Sequence, residues 1–156
     1  MELERLLSLL RRVFARGTER QLVVRCGPDD VVKAVDRVKK LRQEGLHSLL
    51  LAEQGVPTPT LVAVAREVPV VIALGDVNLA EKLLAAVQLP LERGLYEVKA
   101  SSMEKGECEE VVEQLLSEGW PAILVIGLKC AAQERVVVVE QALTDVRGIL
   151  ALRKVV

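Results

Sequence analysis

Three aspartates, one lysine and two cysteines carry most of the chemistry open to this 156-residue chain. Asp29 and Asp30 stand together, Asp76 stands apart, and Lys129 adjoins Cys130. Carboxylates gathered on one edge could hold a magnesium ion. The same residue type at a helix start caps free backbone N–H groups instead. Cys26 and Cys130 both follow predicted strands at helix starts, where a thiolate is stabilised. A nucleophile usually needs a base beside it, and the single histidine, His47, falls at the opposite end of its strand. Small buried apolar residues are the alternative for both cysteines. Lys129 either binds an anion beside a helix start or is a solvated lysine. No predicted strand is followed by GxGxxG or GxxxxGK[ST], which counts against dinucleotide and P-loop chemistry. The segment GVPTPT reads as a rigid loop or as a turn leading to a helix cap.

The elements that must position these residues follow from apolar spacing, which switches between two periods along the chain. Residues 3–16 read as an amphipathic helix with Leu3, Leu6, Leu7, Leu10 and Phe14 on one face. QLVVRC (21–26) is a predicted strand. Gly27-Pro28-Asp29-Asp30 then opens a helix, with acids in its first turn, that carries Val31, Ala34, Val35, Val38 and Leu41 and stops at Gly45. LHSLLLAE (46–53) is the second strand, and Thr58-Pro59 starts a short helix with a capping hydroxyl. PVVIALG (69–75) is the third strand. Asp76 or Asn78 caps the next helix, which Pro90 ends. LYEVKA (95–100) alternates and is charged, which predicts an edge strand. A helix over 104–118, a buried strand over 121–127 and a last strand over 148–156 complete the pattern. Residues 131–143 fit both periods, and Ala132, Val136, Val139 and Leu143 on one face favour a helix.

Strands alternating with helices predict a mainly parallel five- or six-stranded sheet with helices on both faces. The expected class is α/β: one three-layer αβα domain over residues 18–156, flavodoxin-like or Rossmann-like, preceded by an amphipathic helix over 1–17. In such a sheet ligands bind at the carboxyl ends of the strands, where helix N-termini point. The candidate ligand-binding residues are therefore Cys26, Gly27, Asp29 and Asp30 after the first strand, and Glu53, Gln54, Thr58 and Thr60 after the second. Gly75, Asp76 and Asn78 follow the third strand, Ser101 and Ser102 the fourth, and Lys129 and Cys130 the fifth.

Composition narrows the function classes. The apolar share is 51%, while Phe14, Tyr96 and Trp120 are the whole aromatic complement, so stacking platforms for nucleic acid are not expected. Residues 1–42 hold eleven Lys/Arg against six Asp/Glu, and residues 43–156 ten against sixteen. That asymmetry is either a set of solvated helix faces or a basic edge for an acidic partner or a phosphate. No run of 18 apolar residues predicts a membrane span, and acids with interspersed arginines at the N-terminus are the wrong order for a secretory signal. Three cysteines without CxxC spacing predict neither a disulfide framework nor a zinc site, hence reduced thiols and a cytoplasmic chain.

Two layouts are similar. Asp29-Asp30, Asp76, Ser101 or Ser102, and Lys129 fall in the order of the acidic pair, acceptor aspartate, hydroxyl and lysine of a response-regulator receiver domain. That resemblance implies a magnesium-dependent phosphoacceptor. It departs where Cys26-Gly27-Pro28 separate the acids from their strand, where Asp76 lacks the Met-Pro and Asp-Gly that follow the acceptor, and where Cys130 replaces a proline. Residues 27–86 are also similar to the sensory domain preceding propionate-type transcriptional activators, although Glu53-Gln54-Gly55 stands where that domain has Arg-Gly-Gly.

The leading expectation is a non-enzymatic binding or regulatory module holding a small anionic molecule, or a protein partner, at the carboxyl edge. The cofactor is unassigned. A second is a small magnesium-dependent enzyme or phosphoacceptor using Asp29, Asp30, Asp76 and Lys129. A third is an assembly protein whose N-terminal helix forms a homodimer.

Overall fold

Segments SLLLA and AILVI are buried at every position, as strands covered on both faces must be. Around them the chain forms β1 (Leu22–Cys26), α1 (Val31–Gln43), β2 (Ser48–Ala52), α2 (Thr58–Ala65), β3 (Pro69–Gly75), α3 (Val77–Val87), β4 (Gly94–Ser101), α4 (Cys108–Ser117), β5 (Ala122–Ile126), β6 (Val136–Val139) and β7 (Gly148–Lys154). This computed structural model describes Ser8 and residues 21–87, 91–102, 107–143 and 145–155. Apart from Ser8, the helix expected over residues 3–16, with its apolar seam, lies outside the described residues.

The described residues form an α/β fold on one seven-stranded sheet in the order β1-β2-β3-β4-β7-β5-β6. All neighbouring pairs are parallel except those of β7, which runs antiparallel between β4 and β5. Seven strands replace the expected five or six. The order places β1 at an edge, whereas a flavodoxin-like 2-1-3-4-5 order holds it inside.

The helix expected within 131–143 is absent, and Val136–Val139 is a strand. Residues 127–135 must bring the chain back along β5, whose five residues span about 16 Å. Nine helical residues would rise only about 13 Å, while nine extended ones reach about 30 Å. LYEVKA is likewise not an edge strand: β4 is the middle strand, between β3 and β7. Its charges are matched by side chains around it. Arg153 Nε of β7 donates to Glu97 Oε2 at 2.7 Å. Lys99 Nζ donates to Glu118 Oε2 at 3.0 Å, just after α4.

Side chains alternate between two covered faces. On one, α1 and α2 pack over Cys26, Leu50, Ala52, Val70 and Leu95, and α4 packs over Ile123, Val125, Ile149 and Ala151. On the other, Ala80, Leu83, Leu84 and Val87 of α3 cover Leu49, Leu51, Val71, Ala73, Tyr96 and Val98. The four helical crossovers all step the same way across the sheet. The one through α3, on its own face, therefore has the opposite hand to the other three, against a strong general preference for a single hand. It also sends the connection after β3 away from those after β2 and β4, which opens crevices at the carboxyl edge. No helix among the described residues is long and apolar enough to cross a membrane.

Candidate functional site

Six parallel strands end on one edge, and the connections after β1 and β2 form a recess there. The ladder continues one step past the strands, since Glu53 N–H donates to the Cys26 carbonyl at 3.0 Å. Gly27 N–H donates to Asp30 Oδ1 at 2.7 Å, which folds the connection back on itself. Gly55, at φ +108°, lies where a Cβ would come within 3.2 Å of Pro28 Cγ. Together these contacts shape a pocket of about 510 Å3 lined by Arg25, Cys26, Gly27, Pro28, Asp29, Asp30 and Glu53.

Arg25 ties this pocket to the helix on the far face. Its Nε donates to Glu53 Oε1 at 3.1 Å, and its Nη2 donates to the same oxygen. Its Nη1 donates to Asn78 Oδ1 at 2.7 Å and to Glu81 Oε2 at 3.3 Å. Glu53 first holds the guanidinium pKa above its already high value; desolvation opposes it, and Glu81 adds to the rise. The cation is thus committed to two carboxylates, and Asp29 and Asp30 add two more negative charges. The pocket favours cationic or hydrogen-bond-donating groups over an anion.

Cys26 is 1% exposed. Its thiol pKa is pushed up to about 11, by burial first and then by Asp30 and Glu53. It stays protonated at neutral pH, behaves as a small apolar side chain, and is no nucleophile there.

The other candidates are placed around the edge separately. Asp76 Oδ1 accepts from Leu79 N–H at 3.1 Å and caps α3. Asn78 is drawn to β1 through Arg25. Thr58 and Thr60 are exposed in the first turn of α2. The cap there is Pro57, without a side-chain hydrogen bond, so the expected capping role of the Thr58 hydroxyl is corrected. Likewise α1 begins at Val31 with no acid in its first turn, and the Asp30 side chain accepts from Gly27 N–H rather than from a helix N–H. Gly75, at φ +101°, turns the chain after β3. Ser101 ends β4 beside Ile149, and Ser102 is exposed. Lys129 is exposed after β5.

Cys130 is disulfide-bonded to Cys108 at the start of α4, with a Cα–Cα distance of 5.7 Å. This corrects the expectation of three reduced thiols and removes Cys130 as a free ligand or nucleophile. Only 22 residues of sequence separate the pair, but the α4 crossover and the return from β5 are what bring them together.

Five of the predicted residues, Cys26, Gly27, Asp29, Asp30 and Glu53, therefore share one pocket. Asp76 lies two strand spacings away, about 10 Å, and Lys129 five, about 24 Å, because β7 is inserted before β5. Among the described residues no group of three or more His, Cys, Asp or Glu side chains is placed to hold a metal ion. Arg25 and Glu81 were not among the candidates. The one available signal was an arginine inside the apolar run QLVVRC, a residue type that a strand interior does not bury unpaired. No protein-family model, curated protein or solved structure matches the chain.

Proposed function

We propose that this chain is a non-enzymatic binding or regulatory module whose ligand is a small polar molecule seated against Asp29, Asp30 and Glu53. The carrying observation is the pocket of about 510 Å3 at the carboxyl ends of β1 and β2. It is a volume suited to a small metabolite. Its net negative lining turns the anion expected from the sequence into a ligand with an ammonium, guanidinium or hydroxyl group. The reading treats the domain as three-layered, flavodoxin-like in its layers though not in its strand order, and open sheets of parallel strands bind ligands at this edge. Helices on both faces support that view.

Gly27 provides the test. A Cβ there would meet Glu53 Oε2 at 3.6 Å and Asp30 Oδ1 at 3.7 Å, which are ordinary contacts, so Gly27→Leu fills the pocket without backbone strain. A panel of amines, amino acids, polyols and phosphate esters is screened by thermal melting. A ligand at a hundred times its Kd adds about 2.7 kcal/mol of stability. The expected outcome is a shift with a cationic or hydroxylated compound that Gly27→Leu abolishes. A panel without shifts, or a shift that persists in Gly27→Leu, removes the reading.

A further inference from the structure

Among the described residues, one face of the sheet carries three helices whose exposed sides differ in charge. On α1, Lys33, Arg37 and Lys40 are exposed at helical spacing and have no ion-pair partner among the described residues, with Asp36 the one acid among them. Lys39 is paired with Glu67, and Arg42 donates to the Ser48 carbonyl, so neither belongs to the stripe. On α4, Glu109, Glu110 and Glu113 are exposed and also unpaired among the described residues, with no basic residue in that helix. Between them on α2, Thr60 and Ala63 are exposed and Val62 and Val64 are half-buried. Val32, 74% exposed on α1, adds an apolar side chain to the same face.

The order across the face gives these features a partner. α1 lies over β1 and β2, α2 over β3 and β4, and α4 over β7. Because β4 is the middle strand, α2 is central and the two charged helices flank it. A two-fold rotation about an axis parallel to the strands turns this face onto its own copy and exchanges its flanks. Each basic helix then meets an acidic one, and α2 meets α2. The alternative axis, across the strands, would set α1 on α1 and repel.

We propose that two copies of this chain associate through the α1, α2 and α4 face about a two-fold axis parallel to the strands, basic α1 of each against acidic α4 of the other. Such an interface is isologous, with every contact made twice, and has an apolar centre within a charged rim. Helices about 20, 12 and 15 Å long at about 10 Å spacing make a face of about 470 Å2 per copy, below the roughly 800 Å2 of a standard interface. Exposed ion pairs add little each and are screened by salt. The dimer is therefore weak and dissociates as ionic strength rises. The interface is the outer side of the helices and the pocket the carboxyl ends of β1 and β2, so a ligand-dependent melting shift and a sedimenting mass test the two readings independently.

Solution mass by sedimentation, at low and at high ionic strength, tests it on the full chain. Wild type is expected to sediment as a dimer at low salt and as a monomer at high salt. The chain K33E/R37E/K40E and the chain E109K/E110K/E113K are each expected to be monomeric alone. An equimolar mixture of the two restores the dimer mass, since each reversed helix then faces its complement. Should a triple reversal lower the melting temperature, the single reversals Arg37→Glu and Glu113→Lys read the same rescue. A wild-type monomer at low salt, a dimer that survives either reversal, or a mixture that stays monomeric overturns the proposal.

Discussion

Opening the Cys108–Cys130 bond is the perturbation whose size follows most directly from the structure. The two residues are 22 apart in sequence, and cross-linking them removes chain entropy from the unfolded state. The loop-closure relation gives about 11 cal/mol/K for that length, or about 3.4 kcal/mol at 25 °C. Unfolding a chain of 156 residues carries an entropy of about 0.33 kcal/mol/K near its midpoint. The expected loss on reduction is then about 10 °C in Tm. Cys108 and Cys130 sit in or against the apolar cluster under α4, so the reduced thiols remain in apolar surroundings and the cost is mainly this entropy. Melting by circular dichroism, with and without a phosphine reductant, measures it. Cys26→Ala should show the same reductant shift, because Cys26 is the free cysteine. Thiol titration in denaturant without reductant should count one thiol in wild type. A count of three, or a Tm change below about 2 °C, refutes the reasoning. In a reducing cytosol the bond would open, so the same count on protein quenched in acid directly from cells reports which form is resident there.

Two further perturbations follow from the pocket. The Cys26 thiol, raised in the fold to about 11 from an ordinary value of 9.0, contributes stability that is complete below the unfolded value and lost as pH climbs through the folded one. Urea midpoints should therefore fall between about pH 9 and pH 11 more steeply in wild type than in Cys26→Ala, and parallel curves would contradict the burial. Arg25→Ala removes the shared partner of Glu53, Asn78 and Glu81. With the ion pair about one-third exposed, the expected loss is about 1 kcal/mol by chemical denaturation. Arg25→Lys should not recover it, since an ammonium cannot fork to all three, and full recovery by lysine would deny the fork its role.

Local patterns carried the elements that local physics decides. The run PVVIALG is a strand over its full predicted span, 69–75. Ala34, Val35 and Val38 face the core from α1 as their spacing requires, and Gly45, at φ +81°, follows the end of that helix. Asp76 was legible as a cap because its side chain acts three residues away, on Leu79. The pocket was legible only through the rule that parallel strands present their carboxyl ends together. That rule named Cys26, Gly27, Asp29, Asp30 and Glu53, but it named Thr58, Ser101 and Lys129 equally, and no residue type distinguished them.

What tertiary structure alone decided is which distant surfaces meet. Four valines at 136–139 satisfy helical and extended periods alike, and the short return from β5 makes them a strand. The charges on LYEVKA resemble those of an edge until Arg153 and Glu118 are placed against them. Strand order, the reversal of β7, the pairing of Cys108 with Cys130 and the reach of Arg25 to α3 all join residues far apart in the chain. Apolar periodicity records which side of an element is buried and is silent on its neighbour. The composition of each segment thus determined its local conformation, while pairing energies between segments selected the sheet, the pocket and the charge-divided face.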